Sequence, residues 1–110
     1  GEIGLDYYYD FSPKEKQIEA FKAQIELALK LDLSVIIHNR DSDKDMMEII
    51  RSYCGAGLKA QFHCFNGSLE DAMELVDMNY MISFTGNITF KKADNLRKIL
   101  QHIPPENLLL

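Results

Sequence analysis

The 110-residue sequence has no tryptophan, only three prolines and only two cysteines. Cys54 and Cys64 are too few for a disulfide framework, so a buried core must hold the fold, and a reducing, cytoplasmic setting fits. No apolar run approaches the roughly 18 residues of a membrane span, and no signal-like segment opens the residues given. Positive charge is in deficit: 12 Lys and Arg stand against 17 Asp and Glu, for a net charge of −5. Surfaces that wrap nucleic acid by charge alone are basic, so that mode is excluded. A nuclease that recruits phosphates through metal ions is not. What is present is ordinary for a globular protein, with 46% apolar and 26% charged residues, which argues against disorder and collagen-like repeats. The length suits one domain, able to bury roughly two-thirds of the surface its unfolded chain exposes. The chain opens on Gly1 and stops on the apolar run Leu108-Leu109-Leu110 without a turn or cap. That pattern leads us to expect a piece of something longer.

Short β-rich runs alternate with amphipathic helix patterns. Ser12-Pro13-Lys14-Glu15 reads as a helix start, with Ser12 as cap, Pro13 in the first turn and Glu15 closing a capping box. Ile18, Phe21, Ile25, Ala28 and Leu29 then form an apolar stripe that ends near Lys30. Leu33–Ile37 reads as a strand apolar on both faces, as in a buried parallel sheet. A helix from about Asp43 to Cys54 buries Met46, Met47, Ile49, Ile50 and Tyr53, and Gly55 and Gly57 stop it. Leu58–Phe62 is a strand, Ser68 caps a helix carrying Leu69, Ala72, Met73, Leu75 and Val76, and Tyr80–Phe84 is a strand. A helix from about Ala93 to His102 buries Leu96, Ile99 and Leu100, Pro104-Pro105 ends it, and Leu108–Leu110 begin another strand. Such repeats mean right-handed βαβ crossovers and an α/β fold with a parallel sheet. Periodicity leaves two architectures open, a doubly wound sheet and a (β/α)8 barrel, which needs roughly 250 residues.

In a barrel the active site lies at the carboxyl ends of the strands. His38 directly follows Val35-Ile36-Ile37, and His63 directly follows Gln61-Phe62. Glu2, before the first helix, is placed at the end of the strand that comes first. Imidazole and carboxylate donors on one rim suit zinc, manganese or iron, and carboxylate-rich sites also take magnesium. The alternative is that each histidine is structural. Arg40, read as part of a strand-to-helix loop, either forks onto a phosphate or pairs with Asp6, Asp41 or Asp43. Asn66-Gly67 looks like a turn needing positive φ, or a plain loop. Cys64 reads as a buried, inert thiol before a nucleophile. Tyr7, Tyr8 and Tyr9 offer either half-buried packing or a stacking surface for a base. Asp41, Asp43 and Asp45 complement a helix N-terminus and His102 a helix C-terminus.

Gly1-Glu2-Ile3-Gly4-Leu5-Asp6-Tyr7, Ile37-His38-Asn39-Arg40 and His63-Cys64-Phe65-Asn66-Gly67, in this order and spacing, resemble the TatD-type metal-dependent deoxyribonucleases. The final leucines resemble the strand that leads, in that family, into a Thr-Asp-Ser-Pro-like motif. The resemblance covers the whole chain. It implies part of a (β/α)8 TIM barrel, from about the end of strand four to the start of strand eight, with residues 1–110 forming a single partial barrel domain. It implies one or two divalent ions (Mg, Mn or Zn), with Glu2, His38 and His63 as metal ligands and Arg40 beside the substrate phosphate. The implied reaction is hydrolysis of DNA phosphodiester bonds. The family's His-x-His pair would lie before Gly1 and its proton-handling aspartate beyond Leu110, so no catalytic residue is assigned within the chain. The competing expectations are a barrel hydrolase acting on another ester or amide, and a non-catalytic half-barrel that binds metal or self-associates through exposed sheet edges.

Overall fold

The computed structural model describes residues 1–9 and 11–110. The chain divides into two compact units, Gly1–Ala60 and Gln61–Leu110. The fold class is the α/β class expected, parallel strands alternating with helices.

In the first unit, β1 (Ile3–Asp6) and β2 (Val35–Arg40) pair in parallel around α1 (Lys14–Leu31), and α2 (Asp43–Ser52) follows. The register sets Ile3 against Ile37, Gly4 against His38, Leu5 against Asn39 and Asp6 against Arg40. Leu5, Phe21, Ile25, Ile37, Met46 and Ile50 are fully buried. They come from the strands and from the two helical stripes the spacing marks out.

Three differences from expectation stand out in the first unit. Pro13, at φ −58° and ψ 145°, is extended, so α1 begins after it and makes no side-chain cap. Ser12 lies one residue too early to cap, and its carbonyl instead accepts from Gln17 Nε2 at 3.1 Å. Second, β2 runs on through His38 and Asn39 to Arg40, because β1 supplies backbone partners that far, and Tyr7 N–H donates to Arg40 O at 2.9 Å. His38 and Arg40 are therefore strand residues, not loop residues. Third, β2 is not apolar on both faces: Leu33 stays outside it, and both Leu33 and Ile36 are exposed.

Gly4 is required by β1. Its φ is +143°, and a Cβ there would overlap the His38 carbonyl oxygen across the strand pair.

In the second unit, β3 (Ala60–Phe62) pairs with β4 (Met81–Ser83), and β4 pairs with β5 (Leu108–Leu109), all in parallel. Between them lie α3 (Leu69–Asp77) and α4 (Asp94–His102). Ser68 caps α3 as expected, its hydroxyl accepting from Asp71 N–H at 3.1 Å. Leu69 is exposed at the start of that helix, while Ala72 and Leu75 are buried. The buried Asn107 ties β5 to the start of β4 by donating from Nδ2 to Tyr80 O at 3.0 Å. Among the described residues, no helix is long and apolar enough to cross a membrane.

Candidate functional site

Side chains alternate across a strand, so Gly4 and Asp6 share one face of β1. Gly4 lies beside His38 and, having no side chain, leaves the imidazole free to lean along the strand. Asp6 meets it there: Oδ2 is 2.9 Å from His38 Nε2. The other Asp6 oxygen accepts from Tyr8 N–H at 3.0 Å, and Asp6 N–H donates to Gln17 Oε1 at 2.9 Å. Partial burial pulls the Asp6 carboxyl upward. The hydrogen bonds from His38 and from the Tyr8 and Tyr9 backbone, with the charge of His38, outweigh it and hold the group below the ordinary carboxylate range.

Glu2 precedes β1 instead of closing a strand, because pairing starts at Ile3. It still reaches the same ring from the other side, with Oε1 at 3.5 Å from His38 Nδ1. With Nε2–H donating to Asp6, Nδ1 presents a lone pair to a carboxylate. Two acceptors face each other favourably only across a cation, either a second ring proton or a metal ion. The donor chemistry therefore fits a divalent ion held by Glu2 and His38. Asp6 supplies the outer carboxylate that commonly fixes a ligating histidine.

Arg40 is exposed at the end of β2, and its guanidinium lies 3.8 Å from the centroid of the Tyr8 ring and 5.5 Å from that of Tyr9. Of the three tyrosines only Tyr7 is half-buried; Tyr8 and Tyr9 are exposed. The Tyr7 hydroxyl donates to Asp45 Oδ2 at 2.7 Å. Burial first, and then that carboxylate, push its phenol well above the ordinary range. Asp43 and Asp45 lie in the first turn of α2, as expected for a helix N-terminus, and Asp45 in addition anchors Tyr7.

In the second unit, His63 is exposed and directly follows β3, as expected. The left-handed residue of this loop is Cys64, at φ +52°, and not the Asn66-Gly67 pair. Gly67 serves another purpose: a Cβ there would come within 2.9 Å of the Phe65 ring. Cys64 Sγ lies 2.9 Å from Thr85 Oγ1, and Asn87 Nδ2 donates to Phe65 O at 3.3 Å. His102 Nδ1 lies 2.8 Å from Lys98 O at the end of α4.

The first unit thus brings Glu2 and His38 together and adds Asp6, whose role the sequence reading missed. The pairing register carries that role: two residues past the glycine opposite His38, Asp6 shares its face, and the sequence alone does not give the register. Among the described residues, no three His, Cys, Asp or Glu side chains are gathered as they would be around an ion.

The family model described as TatD related DNase matches residues 1–110. The uncharacterized metal-dependent hydrolase YabD of Bacillus subtilis (strain 168) is 43% identical over 110 residues, covering 100% of this chain and 43% of that protein. The 3'-5' ssDNA/RNA exonuclease TatD of Klebsiella pneumoniae (strain 342) is 35% identical over 111 residues, covering 100% of this chain and 42% of that protein. The crystal structure of YJJV, a TatD homolog from Escherichia coli K12, superimposes with a TM-score of 0.90 at 33% identity, over 100% of this chain and 42% of that one. The chain therefore spans less than half the length of these relatives, and its strands and helices are those of a part of a TatD-type (β/α)8 barrel.

Proposed function

Because the chain belongs to the TatD-related DNase family, we propose that the protein at full length is a metal-dependent hydrolase of DNA phosphodiester bonds. The supporting observation is His38 held between two carboxylates, with Asp6 Oδ2 2.9 Å from one ring nitrogen and Glu2 Oε1 3.5 Å from the other. On this reading Glu2, His38 and His63 hold one or two divalent ions (Mg, Mn or Zn), and residues 1–110 belong to one barrel domain. An ion bound there supplies Lewis acidity to the phosphoryl oxygen and neutralises its charge. Asp6 orients the imidazole and fixes its tautomer. Arg40 supplies a planar cation for a substrate phosphate, offsetting the net negative charge of the chain. The name of the Klebsiella relative adds RNA to DNA as a substrate, so strand type is part of the test.

Labelled single-stranded DNA, duplex DNA and RNA, each incubated with Mg2+ or Mn2+, should show cleavage of DNA that a chelator abolishes and added metal restores. Absence of hydrolysis under every metal condition would leave the non-catalytic reading standing. Cleavage of RNA alone would remove the deoxyribonuclease assignment.

Asp6→Asn discriminates further. Asp6 accepts from His38 Nε2–H and from the Tyr8 and Tyr9 backbone, whereas an asparagine offers one acceptor oxygen and an amide that donates. At least one of these bonds is therefore lost. The expected result is metal affinity weakened about 10- to 100-fold, measured by titration with Mn2+. An unchanged affinity would detach Asp6 from the metal site.

A further inference from the structure

The end of β1 carries three large rings in solvent. Tyr8 is 57%, Tyr9 47% and Phe11 88% exposed. They contact one another. Tyr8 and Tyr9 meet edge to face at 4.8 Å between centroids. Tyr9 and Phe11 are stacked at 5.1 Å with 13° between their planes. Contiguous exposed apolar surface of this kind marks a binding surface more often than an accident. Two cations sit on the same run: Arg40 over Tyr8, and Lys14 Nζ at 4.7 Å from the Tyr7 centroid. Both cations lie against aromatic rings, in a chain of net charge −5. The platform is also tied to the candidate metal site, because the carboxylate that receives Tyr8 N–H is the one that holds His38.

We infer that Tyr9 and Phe11, with Tyr8 and Arg40 beside them, form a platform on which an unpaired nucleobase of the substrate stacks. The inference rests on the nucleic-acid reading above and specifies where a base is held. Parallel rings present a flat face that any base matches, and base–aromatic stacking is largely indifferent to sequence. The Arg40 guanidinium, 3.8 Å from the centroid of the Tyr8 ring, supplies planar N–H donors for the phosphate next to that base. A base inside a duplex has both faces covered, so the platform selects single strands or frayed ends. Tyr8, Tyr9 and Phe11 are positioning residues on this account and take no part in bond cleavage.

The test uses the full-length protein in a chelator, so that binding is read without hydrolysis, and a short fluorescent oligothymidylate as probe. Tyr9→Ala and Phe11→Ala should each weaken binding about 5- to 30-fold. Tyr9→Phe should bind within about twofold of wild type, since the ring is kept. An abasic strand with the same number of phosphates should bind wild type and variants alike, and a blunt duplex should bind wild type at least about tenfold more weakly than the single strand. A merely structural role for the rings would not distinguish the base-bearing strand from the abasic one. Alanine variants that bind the oligothymidylate as wild type does would overturn the platform, and so would a wild type that binds both strands equally. Hydrolysis of bis(4-nitrophenyl) phosphate by the wild type with Mn2+ separates the two readings. Turnover there without base-dependent binding removes the platform and keeps the hydrolase. No turnover on any phosphodiester, with no base-dependent binding, removes both.

Discussion

His38→Ala in the full-length protein is expected to lower metal-dependent phosphodiester hydrolysis about a hundredfold or more and to weaken metal binding with it. The ring is addressed by two carboxylates, Asp6 at 2.9 Å and Glu2 at 3.5 Å. Removing it takes away one proposed ligand and leaves Glu2 and Asp6 without the group between them. Metal polarisation of a phosphoryl oxygen is worth several kcal/mol, and each 1.36 kcal/mol is about tenfold in rate. His38 is half-buried, so the variant should fold, which circular dichroism checks. His63→Ala should show the same pair of losses, because the proposal gives it an equivalent role. Wild-type turnover in either variant would end that residue's assignment as a ligand.

Gly4→Ala is expected to destabilise the protein by about 3 kcal/mol or more, from backbone strain together with overpacking. Two effects act at once. The residue sits at φ +143°, where a side chain is strained, and its Cβ would overlap a backbone oxygen that cannot swing away. Relief would require β1 and β2 to separate, and with them His38 and Asp6. For a domain of this size each kcal/mol moves the melting temperature by several degrees, so a drop of at least about 10 °C is expected. Gly86 is the control: nothing lies within 4 Å of a Cβ built there, and Gly86→Ala should change stability by no more than about 0.5 kcal/mol. A Gly4→Ala melting curve within a few degrees of wild type would contradict the β1–β2 register.

The order of strands and helices was legible because the apolar stripes are regular. Phe21, Ile25 and Ala28, then Met46, Ile49 and Ile50, fall where helical spacing puts them, and all are buried. Element ends were less legible. A strand ends where its partner stops supplying hydrogen bonds, and no local signal in Ile37-His38-Asn39-Arg40 says that β1 reaches Arg40. Pro13 suits an N1 position by type, yet its ψ of 145° leaves it outside the helix. At the candidate site, His38 and Glu2 were found as metal-ligand types near strand ends, and the structure sets them 3.5 Å apart. Asp6 escaped notice because its role depends on register, and the sequence left Tyr8 and Tyr9 between half-buried packing and a stacking surface because exposure depends on what the neighbouring chain leaves uncovered.

Each strand with a stated register pairs with the next strand in sequence: β1 with β2, β3 with β4, β4 with β5. The loops closed by these pairings are consequently short and hold one α-helix each, which keeps the entropy of closure low. During synthesis, at about 5–20 residues per second, β1, α1 and β2 emerge with their mutual partners already available. His38 and Asp6 are expected to meet while the ribosome is still adding the second unit.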